Sequence, residues 1–230
     1  MASNEWISEI TRDCSFADVG GLWGTVNEKI SVAALAGASS TTMIDIQPER
    51  NSLWEAFYKR CKEKGVICNK SIVANLDSPD FVARAGQYDV VHCSGIIYHC
   101  PNPLYSVSQL VKITKKYLIL ASTSIPITIS NKDGSIKMED NSALLVSAMT
   151  DTQKRVVNRY FSEVGADNIL PIGQTQSVMG SDQGVIYTPW WYLFTANYIA
   201  GMLKACDAKV LKHALEWSGR TAYFLAEVTP

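Results

Sequence analysis

The sequence predicts an α/β fold in which a mostly parallel sheet is covered by helices on both faces, a doubly wound arrangement. From Phe16 onward, short apolar runs alternate with stretches of helical periodicity, which is typical of strands buried beneath helices on both sides. The alternation stops between residues 124 and 187, so we expect an insertion after the fifth strand. Two strand-like segments joined at Ser218 and Gly219 then predict an antiparallel hairpin at the C-terminal end of the sheet.

Each predicted strand is a short apolar run that ends at a polar or glycine-containing turn. The first is very short and ends near Asp18. The next four are expected at residues 41–46, 67–75, 88–93 and 117–122. The strands of the final hairpin are expected at residues 210–217 and 220–228. Together these segments account for a single sheet.

The predicted helices carry apolar residues at helical spacing between these strands. They span residues 27–36, 52–64, 103–115 and 195–204, and glycines at positions 37 and 65 end the first two. Residues 142–164 are the predicted helical part of the insertion. Its expected inward positions are Leu144, Leu145, Val156, Val157 and Phe161.

The composition predicts one domain over residues 1–230, with residues 124–190 as an inserted region within it. Of the 230 residues, 47% are hydrophobic and 19% charged, enough for one sizeable core. A net charge of −1 disfavours a large nucleic-acid interface. Six cysteines without CxxC spacing predict neither a zinc site nor a disulfide framework. Without a leader or an apolar run of about 20 residues, a cytoplasmic protein with no membrane contact is expected.

Polar motifs lie at the expected carboxyl ends of three strands, where an open α/β sheet binds its ligands. Residues 18–24 read DVGGLWG, and glycines there allow the main chain to approach a ligand closely. Asp45 lies where a carboxylate can accept hydrogen bonds from both hydroxyls of a ribose. Asp77 can accept one from an exocyclic amine such as that of adenine. Each acid alone would equally suit a helix cap or a turn, but all three together predict a nucleotide-containing cofactor.

These motifs and the segment YDVVHCSGIIYHCPNP resemble those of the class I S-adenosylmethionine-dependent methyltransferases, over residues 16–122 and again over 195–228. The resemblance implies S-adenosylmethionine as the cofactor and a seven-stranded Rossmann-like sheet with an antiparallel last strand. The implied cofactor-binding residues are Asp18, Gly20, Gly21 and Gly24 beneath the methionine part, Asp45 at the ribose, Leu76 and Asp77 beside the adenine, and Ser94 and Gly95 at the methionine part. The sequence departs from the family pattern at Leu22, where glycine is common, and Trp23 follows it.

A nicotinamide-dinucleotide-binding protein would also combine a glycine loop with a ribose-binding acid. Its GxGxxG spacing is absent, because the glycines here stand at positions 20, 21 and 24. The terminal hairpin also favours the methyltransferase arrangement.

Aromatic residues and a histidine supply the predicted acceptor site. His99 follows the fourth strand and is the candidate general base, since imidazole titrates near neutrality; a structural role for it stays open. The candidate substrate-binding residues are Tyr98, His99, Tyr187, Trp190 and Trp191, which could enclose a small organic acceptor. The resemblance implies that the inserted residues 124–190 cover the substrate. The two tryptophans would equally suit fixing the insertion to the core. His92, expected in mid-strand, and His213, expected on the hairpin, are placed outside this site.

The predicted function is methyl transfer from S-adenosylmethionine to an oxygen or nitrogen of a small-molecule acceptor, in biosynthetic or specialised metabolism and without a metal. Two alternatives stay open. The segments GIIYHCPNPLYSVSQL and YTPWWYLF somewhat resemble a subfamily that includes the tRNA wobble-uridine carboxymethyltransferase, which uses a carboxylated cofactor. Leu22 would instead suit a non-catalytic, regulatory member of the fold. A homodimer is possible under each of these functions.

Overall fold

The computed structural model describes residues 2–22, 28–166, 172, 178–179, 186–187 and 190–229, with only the backbone given for 178–179 and 186–187. The strands within them are β1 (Ser15–Val19), β2 (Ser40–Asp45), β3 (Lys70–Val73), β4 (Tyr88–Ser94), β5 (Thr114–Thr123), β6 (Thr128–Asn131), β7 (Gly134–Lys137), β8 (Ala143–Leu145), β9 (Val178–Met179), β10 (Ile186–Tyr187), β11 (Tyr192–Phe194), β12 (Ala208–Glu216) and β13 (Thr221–Val228). The helices are α1 (Ala2–Ile10), α2 (Ile30–Leu35), α3 (Ser52–Glu63), α4 (Phe81–Ala85), α5 (Pro103–Lys112), α6 (Asp151–Glu163) and α7 (Ala196–Ala205).

Seven strands form one sheet in the order β12-β13-β5-β4-β1-β2-β3. Strands β1 to β5 are parallel to one another, whereas β13 runs antiparallel to both β5 and β12. The predicted α/β sheet with an antiparallel C-terminal hairpin is confirmed. Because the chain adds β2 and β3 on one side of β1 and then β4 and β5 on the other, its topological switch point lies between β1 and β4.

Helices cover both faces of this sheet. Neighbouring residues of a strand point to opposite faces; on β1, Phe16 packs with α1, α2 and α3, and Ala17 packs with α4, α5 and α7. The doubly wound arrangement therefore has a separate apolar core on each face. Among the described residues, no helix has the length and hydropathy needed to cross a membrane.

Helix α1 was not predicted, since it precedes Phe16, where the predicted alternation of strands and helices begins. Trp6 and Ile7 are its apolar anchors, 6% and 0% exposed. With so short and otherwise polar a segment, the periodic signal is too weak to predict a helix, and burial against the sheet stabilises it instead.

The insertion differs from the single helix expected at residues 142–164. Residues 143–145 form strand β8, which pairs with β11, and Leu145 is 38% exposed, so its predicted inward position is wrong. Helix α6 begins only after Thr150, whose hydroxyl accepts from the Gln153 amide while the Gln153 side chain accepts from the Thr150 amide. That capping box sets the helix start. Val156, Val157 and Phe161 are buried as expected.

Between β5 and α7, the insertion has a third apolar cluster of its own. Ile125, Ile129, Val157, Phe161 and Trp190 belong to it. Thr195, the N-cap of α7, connects this region to the main domain because its hydroxyl donates to the carbonyl of Asp140 at 2.5 Å.

Candidate active site

A cavity of about 490 Å³ opens at the carboxyl ends of the central strands, at the switch point between β1 and β4. The structure brings most of the predicted site residues to its wall: Asp18, Gly20, Gly21, Asp45, Leu76, Asp77, Ser94, Gly95, Tyr98, His99 and Trp190. Trp191 is not part of this wall; its side chain is 36% exposed. Gly24, Trp23 and the side chain of Tyr187 lie outside the described residues.

Asp18 holds the glycine loop in place from the end of β1. One of its carboxylate oxygens accepts from the backbone N–H of Lys29 at 2.7 Å, and the other lies 2.7 Å from Nδ1 of His92. Asp18 and His92 are paired in register on adjacent strands, and both are buried. The carboxylate thus joins β1, β4 and the start of α2.

His92 is, as expected, a hydrogen-bonded residue of a buried strand, yet it also contributes to the cavity wall. Its second ring nitrogen, Nε2, is buried and has no hydrogen-bond partner among the described residues. His213 lies on β12, where it stacks on Phe224 with ring centroids 4.8 Å apart, and does not reach the cavity.

The two described glycines of the loop have no room for a side chain. Gly20 has φ +78°, and a Cβ there would lie 2.4 Å from Cδ1 of Ile96. A Cβ on Gly21 would lie 2.3 Å from the Asp18 carboxylate and 2.8 Å from Met43 Cε. Bare backbone therefore forms this part of the wall, which suits close approach by a ligand.

Asp45 lies at the end of β2 and is 5% exposed. Its two carboxylate oxygens accept from the backbone N–H groups of Leu22 at 3.2 Å and Gln47 at 2.9 Å. Burial raises the pKa of Asp45 to about 6, although these hydrogen bonds act in the opposite direction. The first hydrogen bond also ties the glycine loop to β2.

The side chain of Leu22 explains how the loop accommodates this departure from the family pattern. It is fully buried in the core cluster that contains Trp6, Phe16 and Met43, and it is not part of the cavity wall. Its bulk thus occupies the protein core and leaves the cavity open.

Leu76 and Asp77 follow β3 on the far side of the cavity. Leu76 is 5% exposed, and Asp77 accepts a hydrogen bond from the Ser106 hydroxyl on α5. The Asp77 N–H donates to the side chain of Asn75 at 3.0 Å, so a local turn orients the carboxyl group.

Three rings in mutual contact form the wall beyond β4. Tyr98 stacks on Trp190 with centroids 4.3 Å apart and planes at 24°, and His99 lies 4.2 Å from Tyr98 and 5.3 Å from Trp190. Trp190 also contacts Phe161 of α6 at 6.0 Å. It therefore fixes the insertion to the core and lines the cavity at the same time. Its Nε1 is buried without a hydrogen-bond partner among the described residues.

Residues that the motifs do not indicate complete the wall. Lys29, at the N-terminus of α2, is only 4% exposed, and burial lowers its pKa. Trp217, Arg220 and Tyr223 reach the cavity from the terminal hairpin. A sequence signal for Arg220 was available, since the start of a strand antiparallel to β5 must lie at the carboxyl end of β5.

The sequence matches no known protein-family profile and no curated protein. Solved structures nevertheless share its fold. An O-methyltransferase family protein from Burkholderia thailandensis matches with a TM-score of 0.61 at 13% identity, over 99% of this chain and 55% of that chain. Magnesium protoporphyrin IX methyltransferase from Synechocystis, solved with bound SAH, matches with a TM-score of 0.57 at 14% identity, over 99% and 81%.

A ribosomal protein L11 methylase from Lactobacillus delbrueckii matches at a TM-score of 0.51 and 11% identity, over 99% of this chain and 77% of that one. The names of these two proteins indicate a porphyrin and a ribosomal protein as methyl acceptors. At such identities the likeness concerns architecture. The chain has the fold of the class I S-adenosylmethionine-dependent methyltransferases.

Proposed function

We propose that this protein is a methyltransferase that uses S-adenosylmethionine to methylate an oxygen or nitrogen atom of a small-molecule acceptor. The observation that carries the proposal is the convergence of Asp18, Asp45, Asp77 and Gly95 on one cavity at the switch point of this fold. Neighbours in the same fold were solved with SAH or SAM bound. The bare backbone at Gly20 and Gly21 fits close approach of such a cofactor.

The residues at each strand end would hold a different part of the cofactor. Asp45 would accept hydrogen bonds from the ribose hydroxyls, and Leu76 and Asp77 would flank the adenine. The loop that Asp18 positions, together with Gly24, would lie beneath the methionine part. Ser94 and Gly95 would border that part from β4. Carboxylate oxygens that already accept one N–H retain further acceptor capacity, so Asp45 can serve the loop and the ribose together.

When bound, S-adenosylmethionine supplies a methyl group on a sulfonium that a lone pair of the acceptor can attack. The protein then has to align the acceptor and remove its proton. We assign alignment to the stacked rings of Tyr98 and Trp190. His99, which packs against both, would take the proton that the acceptor hydroxyl or amine loses and pass it to solvent.

The insertion, residues 124–190, would cover the acceptor as part of a single domain of residues 1–230. Trp190 supports this role because it belongs both to the insertion's core cluster and to the cavity wall. A volume of about 490 Å³ suits a small ligand. The net charge of −1 and the three acids in the cavity favour such an acceptor over RNA.

Calorimetric titration with S-adenosylhomocysteine tests the proposal. We expect saturable binding with a Kd below about 1 mM, weakened at least about tenfold in Asp45→Ala by the loss of charge-assisted hydrogen bonds. The absence of binding to the wild-type protein would refute the function. An unchanged affinity in a folded Asp45→Ala variant would refute the role of Asp45.

A measurement of turnover distinguishes an enzyme from a non-catalytic protein of the same fold. With an acceptor that is methylated, His99→Gln should lower kcat and leave the affinity for S-adenosylhomocysteine unchanged, whereas His213→Gln should alter neither. Equal kcat values for wild type and His99→Gln would remove His99 from catalysis.

A further inference from the structure

Arg220 is a cationic residue of the cavity wall, on the side opposite to Asp45 and Asp77. It immediately precedes β13, and the first residue of β13, Thr221, lies opposite Thr123 at the carboxyl end of β5. The Arg220 carbonyl accepts from the Ser124 N–H at 2.9 Å, which fixes the backbone beside the start of the insertion. Arg220 is one of the residues that line the cavity there.

The guanidinium of Arg220 has a donor that nothing described in the structure satisfies. Its Nη1 is buried and has no hydrogen-bond partner among the described residues, and no described carboxylate lies within 4 Å of the side chain. A buried charged donor without an acceptor is strongly unfavourable, and native proteins rarely contain one. An anionic ligand would satisfy it, because the planar guanidinium can donate two parallel hydrogen bonds to a carboxylate or phosphate.

The hairpin turn holds an aromatic ring against this charge. The Trp217 ring centroid lies 5.8 Å from the Arg220 guanidinium carbon. Trp217 and Ser218 have φ values of 56° and 58°, a left-handed conformation that tryptophan rarely adopts. The strained turn brings an apolar surface to the wall beside the cation, which suits an anion attached to an apolar body.

The sheet order separates Arg220 from the residues assigned to the cofactor. Asp45 and Asp77 follow β2 and β3 on one side of β1, whereas β13 lies on the other side, beyond β4 and β5. Neighbouring strands lie about 4.8 Å apart, so β13 is about 14 Å from β1 across the sheet. The acids at one end would repel an anion, and Arg220 would attract it to the other.

We infer that Arg220 binds an anionic group, a carboxylate or phosphate, of the methyl acceptor. This inference rests on the proposed function, because it takes the acceptor to occupy the part of the cavity that the cofactor leaves free. The substrate class is then a small organic acid or phosphate ester with an apolar body, methylated at a hydroxyl or amine.

Calorimetric titrations with benzoate, phenyl phosphate and the neutral isostere benzamide test the inference, each with and without saturating S-adenosylhomocysteine. We expect at least one anion to bind about tenfold or more tightly than benzamide, the effect of a charge-assisted hydrogen bond. R220M should abolish this preference and R220K should keep part of it. R12M, which removes an exposed arginine away from the cavity, should behave as wild type. Thermal unfolding confirms that each variant is folded; should R220M not fold, R220K and R220Q carry the comparison.

Three outcomes would overturn the inference. They are no saturation by either anion up to about 10 mM, equal affinity for anions and benzamide, and an anion preference that R220M retains. A loss of S-adenosylhomocysteine affinity in R220M, with the anion preference intact, would assign Arg220 to the cofactor's own carboxylate and also overturn it. Anion binding that depends on Arg220 in a protein that does not bind S-adenosylhomocysteine would refute the proposed function and leave the anion site standing.

Discussion

Replacing Asp45 by asparagine should weaken cofactor binding and yet stabilise the ligand-free protein at neutral pH. The carboxyl group is almost fully buried at the end of β2, and burial raises its pKa from 3.8 to about 6. Asparagine has nearly the same shape but cannot ionise. D45N therefore separates the carboxylate's contribution to binding from its effect on folding.

The direction in which stability changes with pH follows from the pKa of Asp45 in the unfolded and in the folded protein. Below pH 3.8 the carboxyl is protonated in both the folded and unfolded protein, so its ionisation does not affect stability. As the pH rises to about 6, only the unfolded state ionises readily, and the native state loses stability until the folded-state group ionises too. At about 1.4 kcal/mol per pH unit, the loss is complete above pH 6 and amounts to about 3 kcal/mol.

The loss of a hydrogen bond in D45N reduces the stability that the variant gains. Asp45 accepts from Leu22 and Gln47 on separate oxygens, whereas asparagine has one oxygen and would leave one N–H facing its amide. That mismatch should cost about 1 to 2 kcal/mol. We expect D45N to be about 1 to 2 kcal/mol more stable than wild type at pH 7 and less stable near pH 4.

Urea denaturation of both proteins without ligand, from pH 4 to pH 7.5, measures the difference. The D45N advantage should grow by about 2.5 kcal/mol over this range, because the unfolded carboxyl is already partly ionised at pH 4. Asp89 supplies a control of opposite sign, because hydrogen bonds from Ser15 lower its pKa to about 2. D89N should be less stable than wild type at pH 7. A stability difference between D45N and wild type that does not change with pH would refute the argument that burial raises the pKa of Asp45.

Three further substitutions test the described geometry by urea or thermal denaturation, each with an expected sign. G20A should destabilise the protein by about 1 to 3 kcal/mol because of its positive φ and a blocked Cβ, whereas G201A, in an open helical position, should stabilise it by up to about 1 kcal/mol; equal effects would contradict a crowded loop. H92F should cost about 2 to 4 kcal/mol, since it leaves the buried carboxylate on β1 without its partner, and H213F should change stability by less than about 0.5 kcal/mol; a neutral H92F would show that the buried pair is dispensable. T195A should cost about 1 to 2 kcal/mol because a buried N-cap is lost, and an unchanged unfolding midpoint would argue against that cap.

Local sequence pattern predicts the sheet well because its seven strands, and the helices α2, α3, α5 and α7, each have their own periodicity. The strand ends follow from it, and with them the convergence of Asp18, Asp45 and Asp77 on one edge. The pattern fails in the insertion, where Leu144 and Leu145 suit a helix or a strand and pairing with β11 decides between them.

The positions of the candidate site residues are predicted best where they depend on the backbone and worst where they depend on side-chain direction. Gly20, Gly21, Gly95 and the three acids line the cavity, at the strand ends that the motifs indicate. Leu22 turns into the core, and Trp191 remains outside the cavity wall although Trp190 lines it. No periodicity distinguishes these outcomes, since each is decided by contacts with distant parts of the chain.

The sequence by itself determined the doubly wound sheet, its terminal hairpin and the acids at its strand ends, because apolar periodicity and glycine placement act over a few residues. Only the tertiary structure decided that His92 pairs with Asp18, that Tyr98 stacks on Trp190, and that Arg220 reaches the same cavity. Along the chain, Asp18 and His92 are 74 positions apart, and Tyr98 and Trp190 are 92 apart. Arg220 is 202 positions from Asp18. Their burial and pairing depend on how the strands are ordered in space.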